Sequence, residues 1–342
     1  ISQFLNLSIS QFLNLSIKFK MEQKVIANRL DWMDWAKAIA ITIVVFGHLR
    51  SPLMTWVFSF HMPFFIMLSG FLQKKRPLLE EVVKSAKSLL LPYLIYDVFL
   101  LVYSLCTGEY QANYPLSMLI GLQWNLSMAC RPLWFLLALF WMRVAYAALP
   151  QNGRSGSYVL ALLCILFVWV YAGEEPMKPE HNYFQIFEAI ICFPFFIIGT
   201  LLHEYKVEKA LDRFPVALRF LLIAVGLVVG FYIVSQNGFV NIFRLTPGKV
   251  VPLFYISAAL ISICLIWLIY QTLKVRNSYI QLVSEGTLLI FAVHQAIFWP
   301  LREVLPGGFW GSLAVALVTV FVLSGFAWLA RKYCPVLIGK MK

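Results

Sequence analysis

Charge is what this chain has least of. Across 342 residues, Asp, Glu, Lys and Arg together supply 13%, about half the roughly 25% usual in soluble domains. The little there is leans to one sign, with 28 basic against 16 acidic residues and a formal charge of +12. Hydrophobic residues make up 61%, and the mean hydropathy is +0.78. That composition excludes a soluble globular enzyme and a disordered protein. Cysteine chemistry is also sparse: the six cysteines form no C-x-x-C pair and no Cys/His spacing of a metal site or disulfide framework. They read as unpaired small hydrophobes, and no metal is expected. No G-x-x-x-x-G-K-[ST], G-x-G-x-x-G or G-x-S-x-G run occurs, which argues against ATP-driven, dinucleotide and hydrolase-elbow mechanisms.

What is there is apolar and long. Runs fall at 34–51, 53–72, 89–106, 132–149, 158–172, 184–203, 217–235, 251–273, 286–304 and 311–330, each near the roughly 20 residues that cross a bilayer as a helix. Backbone groups in lipid must be satisfied internally, and these runs lack the strict alternation of barrel strands. The expectation is an all-α polytopic membrane protein of about ten transmembrane helices. With the N-terminus on the cytoplasmic side, inner segments carry twenty basic residues and outer segments six. That bias places both termini in the cytoplasm, and it explains the net charge through lipid headgroups, without nucleic acid. The bilayer is the expected partner. Oligomeric state is not readable.

Residues 1–20 stand apart. ISQFLNLS at 1–8 recurs letter for letter at 9–16, without the basic flank and small-residue cleavage site of a signal peptide. This duplicated octapeptide reads as an upstream translation feature outside the fold, leaving 21–342 as a single membrane domain.

Ionisable side chains inside spans are costly and therefore candidates for function. His48 and His61 lie on antiparallel neighbours joined by a tight turn at Ser51-Pro52. With a rise of about 1.5 Å per residue they sit roughly 5 and 12 Å below that turn, within reach of one cavity. Each could exchange a proton near neutrality or serve only as interhelical glue. Lys37 lies roughly 16 Å deeper on nearly the same helix side. It is either half of an i,i+3 pair with Asp34 or an anion contact at the inner mouth of a path to His48. The segment 73–88 brings Arg76, Lys84 and Lys87 among five basic residues. Such a cluster suits a pyrophosphate-bearing cofactor or merely satisfies topology. Arg143 can snorkel. Glu188 could orient a histidine or the acceptor, or sit at the interface, and Trp134 could line a cleft or pack. Ser69-Gly70 would let two helices approach closely.

Four motifs carry a family resemblance. Asp34–His48 (DWAKAIAITIVVFGH) and Phe60–Phe71 (FHMPFFIMLSGF) resemble the first- and second-helix signatures of the acyltransferase 3 family of integral-membrane O-acyltransferases. Leu133-Trp-Phe-Leu136 and Phe193–Gly199 (FPFFIIG) are similar to later landmarks, and His294 matches a position where members often carry His. The resemblance covers about 31–330. It implies transfer of an acyl group, usually acetyl from acetyl-CoA, to a hydroxyl of a cell-surface or exported carbohydrate or glycolipid, in the plasma (inner) membrane.

Carried over, His48 would be the essential first-helix histidine and His61 its second-helix counterpart. Lys37 would stand where many members have Arg, a form nearer the fucose 4-O-acetylase-like branch. Lys84 and Lys87 would approximate the basic positions before the third helix. Taken with the reading of the residues themselves, Lys37, Lys84, Lys87 and nearby Arg76 would hold the donor's phosphates, and Trp134, Glu188 and His294 would be the candidates to face the acceptor. Some relatives carry an extra outer hydrolase-like domain. None is recognisable here, so this chain or a separate partner would complete the transfer. The rival class is a proton-coupled transporter or flippase for a sugar or glycolipid, which does not account for the Phe-His-Met-Pro and Ser-Gly-Phe combination.

Overall fold

The computed structural model describes residues 30–150, 155–174, 177–301 and 303–340. The duplicated octapeptide at 1–20 lies outside them. Helices run in order as α1 (Asp31–Gly47), α2 (Met54–Phe71), α3 (Leu78–Thr107), α4 (Trp134–Ala148), α5 (Ser155–Tyr171) and α6 (Ile186–Glu204). They continue as α7 (Val216–Asn237), α8 (Val251–Thr272), α9 (Ser278–Glu285), α10 (Thr287–Leu301) and α11 (Gly308–Tyr333). Among the described residues there is no strand, only an isolated bridge between Asn241 and Thr246.

Every predicted apolar segment falls on a helix, but the helices are uneven in length. Among the described residues, six are long and apolar enough to cross a membrane: α2, α3, α6, α7, α8 and α11. The pair α9–α10 makes a seventh only if its 71° bend is counted within one span. The remaining three, α1, α4 and α5, have 17, 15 and 17 residues. At about 1.5 Å per residue they measure roughly 22–26 Å against a hydrocarbon core of about 30 Å. The shortfall in α4 has a local cause: its expected first turn, Arg131–Leu133, is 3-10 rather than α. Gly286 marks the α9–α10 break, where an added Cβ would lie 2.5 Å from the Ala327 side chain. Glycine there lets α11 pack against the bend.

The centre of the bundle is α2 against α6. A Cβ on Gly70 would fall 2.1 Å from the Phe196 carbonyl oxygen, and one on Gly199 would fall 2.1 Å from that of Met67. The close approach expected at Ser69-Gly70 is therefore made by Gly70, backbone against backbone, with Gly199 as its reciprocal. Phe64, Phe195, Phe196 and Phe254 fill the surrounding core with no exposed surface. Outward faces are apolar as well, with Val225, Val228 and Tyr232 of α7 and Val318, Phe321 and Phe326 of α11 all exposed. Lipid is the solvent such a surface fits. Among the cysteines, Cys130, Cys164, Cys192 and Cys264 are buried while Cys106 and Cys334 are exposed, and all six are free thiols.

Alternation of the helices gives the bundle two ends. His48 closes α1 at one, beside the connections 108–133 and 238–250. There the Gly308 N–H donates to the Arg50 carbonyl at 3.1 Å. Lys37 lies toward the other end, where the Trp35 indole donates to the Val275 carbonyl at 2.8 Å.

Candidate active site

Three imidazoles meet at the first end. His48 lies 6.2 Å from His61 and 5.1 Å from His294, measured between ring centroids. The tight turn between α1 and α2 brings the first two together as their spacing predicts, and α10 adds the third. Nδ1 of His61 is 2.8 Å from the Val57 carbonyl oxygen. Nδ1 of His294 is 2.8 Å from that of Phe291 and 3.2 Å from that of Ile290. A carbonyl only accepts, so both rings carry their proton on Nδ1, and both Nε2 lone pairs are left available. On His294 that atom is buried without a hydrogen-bond partner. Phe58 packs on His48 and His61 at 5.4 and 5.0 Å. Two of the rings are thus held in fixed orientation by their own helix backbone.

A cavity of about 150 Å³ opens above this cluster, lined by His48, His61, Met62, Trp134 and Gln295 together with Arg131, Asn241 and Arg244 from the connections. Trp134, buried to 6% exposure, therefore both packs and lines the cleft. Beneath it lies a cavity of about 180 Å³ walled by Phe65, Ser69, Phe135, Leu139, Lys37 and Arg143. A third, about 540 Å³, opens toward the other end and again borders Lys37 and Arg143, with Lys340 added. Phe291 borders both the first and the second cavity. A file of spaces thus runs from Lys37 to His48, divided at one aromatic ring.

The other predicted residues distribute unevenly. Lys84 and Lys87 line a further cavity that shares Ser88 and Gly339 with the Lys37 cavity. A five-residue π turn at Ala86–Leu90 surrounds Lys87, a distortion frequent at functional sites. Arg76 is occupied by ion pairs with Glu80 and Glu81 at 3.3 and 3.1 Å. Glu188 is not brought to the histidine cavity. It is buried, accepts a hydrogen bond from Asn182, and Asn182 also accepts the Phe187 N–H at 3.0 Å. Beside it Phe184 and Gln185 hold left-handed backbone at φ 53° and 56°. Gln185 donates to the Gly121 carbonyl at 2.6 Å, tying α6 to the 108–133 connection.

Sequence reasoning did not place Arg131, Asn241 or Arg244 at the site, because they lie on connections with no periodicity to read. It treated Arg143 as an interfacial residue. The available signal was an arginine inside a span with no acid one turn away, and its Nε is buried without a partner.

Comparison with known proteins agrees with the motifs. The family described as "Acyltransferase domain", acyltransferase 3, matches residues 30–331. The nodulation protein NolL of Mesorhizobium japonicum is 24% identical over 310 residues, covering 83% of this chain and 80% of that protein. No solved structure matches. With the motifs of α1 and α2 converging on one histidine cluster and the family match spanning the whole bundle, this chain belongs to the acyltransferase 3 family of membrane O-acyltransferases.

Proposed function

We propose that the protein transfers an acetyl group from acetyl-CoA, bound at the Lys37 end, to a hydroxyl of a carbohydrate presented to the histidine cavity. The file of cavities from Lys37 to His48 supports this reading above all. It lets a long thioester and a sugar meet from opposite ends. Lys37, Arg143 and Lys340, with Lys84 and Lys87 next door, are the candidates to hold the donor's phosphates. The unpartnered Arg143 Nε fits that role. The middle cavity, mostly Phe and Leu, suits an uncharged pantetheine arm.

In the transfer, the acceptor hydroxyl oxygen bonds to the thioester carbonyl carbon and gives its proton to an imidazole Nε2. The C–S bond breaks, and the departing thiolate recovers that proton. An imidazole that carried the acetyl first and passed it on would use the same groups. In this reading the excess of basic residues around Lys37 marks the cytoplasmic end, with ten spans in the plasma membrane and both termini in the cytoplasm. Helices α1, α4 and α5 would cross a locally thinned bilayer. The acceptor is then a cell-surface or exported carbohydrate or glycolipid.

The test is acetyl transfer from labelled acetyl-CoA into surface glycan, in membranes holding wild type or His48→Ala at equal expression. A loss of roughly a hundredfold or more is expected. Transfer surviving in the variant would remove His48 from the chemistry. Sugar movement that follows a proton gradient, in a protein that fails to bind acetyl-CoA, would favour a transporter instead.

A further inference from the structure

The histidine cavity contains two arginines and no acid. Its lining includes Arg131 and Arg244 but neither Asp nor Glu, and no carboxylate among the described residues pairs with either arginine. Arg131 is held in place without being neutralised. Its guanidinium lies 5.5 Å from the Trp124 ring and 5.6 Å from the Phe243 ring, which themselves pack at 5.8 Å. Its Nε is buried with no hydrogen-bond partner.

Arg244 ends a 3-10 turn, Ile242–Arg244, whose start is capped by Asn241 accepting the Arg244 N–H at 3.1 Å. The Asn241–Thr246 bridge closes the same loop. The loop that presents Arg244 therefore also presses Phe243 onto Arg131, and the pair forms one rigid element. Burial first, and then the neighbouring Arg244 charge, weaken the hold of Arg131 on its proton. Two like charges held side by side at a cavity wall are a cost that an anion would relieve. Topology does not account for them, because the basic residues that follow the positive-inside rule cluster at the opposite end.

We propose that Arg131 and Arg244 form an anion subsite for the acceptor, so that the preferred acceptor is an anionic glycan whose carboxylate or phosphate lies on the arginines while its hydroxyl faces His48 and His61. This rests on the histidine cavity being the acceptor site. Arginine suits either anion, since its planar fork pairs with both.

The full chain in phosphatidylcholine nanodiscs would be titrated with trigalacturonate, with pentamannose 6-phosphate, and with the neutral carboxyl-reduced trisaccharide. At least one charged glycan should bind tenfold or more tighter than the neutral one, and which of them does so assigns carboxylate or phosphate. Arg244→Gln and Arg131→Gln should each remove about tenfold of that preference, and Arg131→Lys should restore part of it. Arg244 is exposed, so its variant remains informative even if Arg131→Gln disturbs the Trp124–Phe243 pair. Equal binding of charged and neutral glycans, or a preference indifferent to both arginines, would overturn the proposal. So would displacement of the glycan when phosphatidylglycerol replaces phosphatidylcholine, because the arginines would then hold a lipid headgroup.

Labelled acetyl transfer to the same glycans tests the acceptor reading separately. Charge preference without any transfer sinks that reading and leaves the arginine site. Transfer without preference sinks only the anion subsite.

Discussion

The two ends of the bundle hold their polar groups by different means. At the histidine end, two imidazoles are pinned by their own backbone carbonyls, and Arg131 is pinned between two aromatic rings. At the lysine end, the two neighbouring cavities are bordered by five basic residues, Lys37, Arg143, Lys340, Lys84 and Lys87, and three acidic ones, Asp34, Glu285 and Glu80. Several of these are held by ion pairs: Lys340 and Arg331 meet Glu285 at 2.8 and 3.5 Å. Asp34 accepts a hydrogen bond from Ser284 at 2.6 Å. Rigid, unneutralised groups suit bond making, where geometry must already be right when charge develops. Long lysines that can exchange one anion for another suit a flexible, multiply charged donor. On the proposed function, the difference between the ends is a division of labour between chemistry and capture.

The strongest way to break that comparison is to remove cations at the capture end and ask which kinetic constant moves. Lys37→Gln combined with Arg143→Gln should raise KM for acetyl-CoA by roughly a hundredfold, from two lost charge-assisted contacts. The KM for the glycan should be nearly unchanged. Initial rates over a grid of both substrates would measure this. A fall in kcat alone would instead put these cations in the chemical step.

The ring between the two ends gives a smaller and sharper test. Phe291 borders the histidine cavity and the middle cavity, and it packs on Phe135 at 5.1 Å and on His294 at 6.0 Å. On the proposed function, Phe291→Ala should join the two spaces and admit water to the thioester path. Hydrolysis of acetyl-CoA without glycan should rise several-fold relative to transfer, because water exclusion is what couples the two. Release of CoA followed with a thiol reagent, with and without glycan, would report it. An unchanged ratio would show that Phe291 does not separate the compartments.

Much of this arrangement was legible in the sequence where it depended on local spacing. Two histidines flanking a tight turn are within reach of one cavity, and Ser69-Gly70 inside an apolar helix points to a close approach of two helices. The site becomes illegible where it depends on tertiary contact. Arg131 and Arg244 are separated by a long stretch of chain and are joined through Phe243, whose ring lies against the Arg131 guanidinium. The apolar run at 286–304 gives no hint that the preceding helix meets it at a 71° bend, where Gly286 faces Ala327 of α11. Glu188 reads as a candidate because it is an acid inside a span. In the structure one carboxylate oxygen accepts from Asn182 at the turn that starts α6, and the other is buried without a hydrogen-bond partner. A buried carboxylate reads the same in sequence whether it faces a ligand or a backbone knot.

The smallest effect sharpens the comparison from within the histidine end itself. Arg50 lies at that end too, but it is paired: its guanidinium meets Glu303 at 2.5 Å, with the two side chains 55% and 66% exposed. An exposed pair of this kind is worth about 0–1 kcal/mol. Arg50→Gln should therefore shift stability by no more than about that amount, and leave glycan affinity within about twofold. Arg244→Gln, at the same end, should cost about tenfold in anionic-glycan binding. Net charge changes equally in the two variants, so a general electrostatic attraction of the glycan would weaken both alike. Only a localised subsite separates them, and parallel titrations of the two variants at low and physiological salt would decide between those accounts.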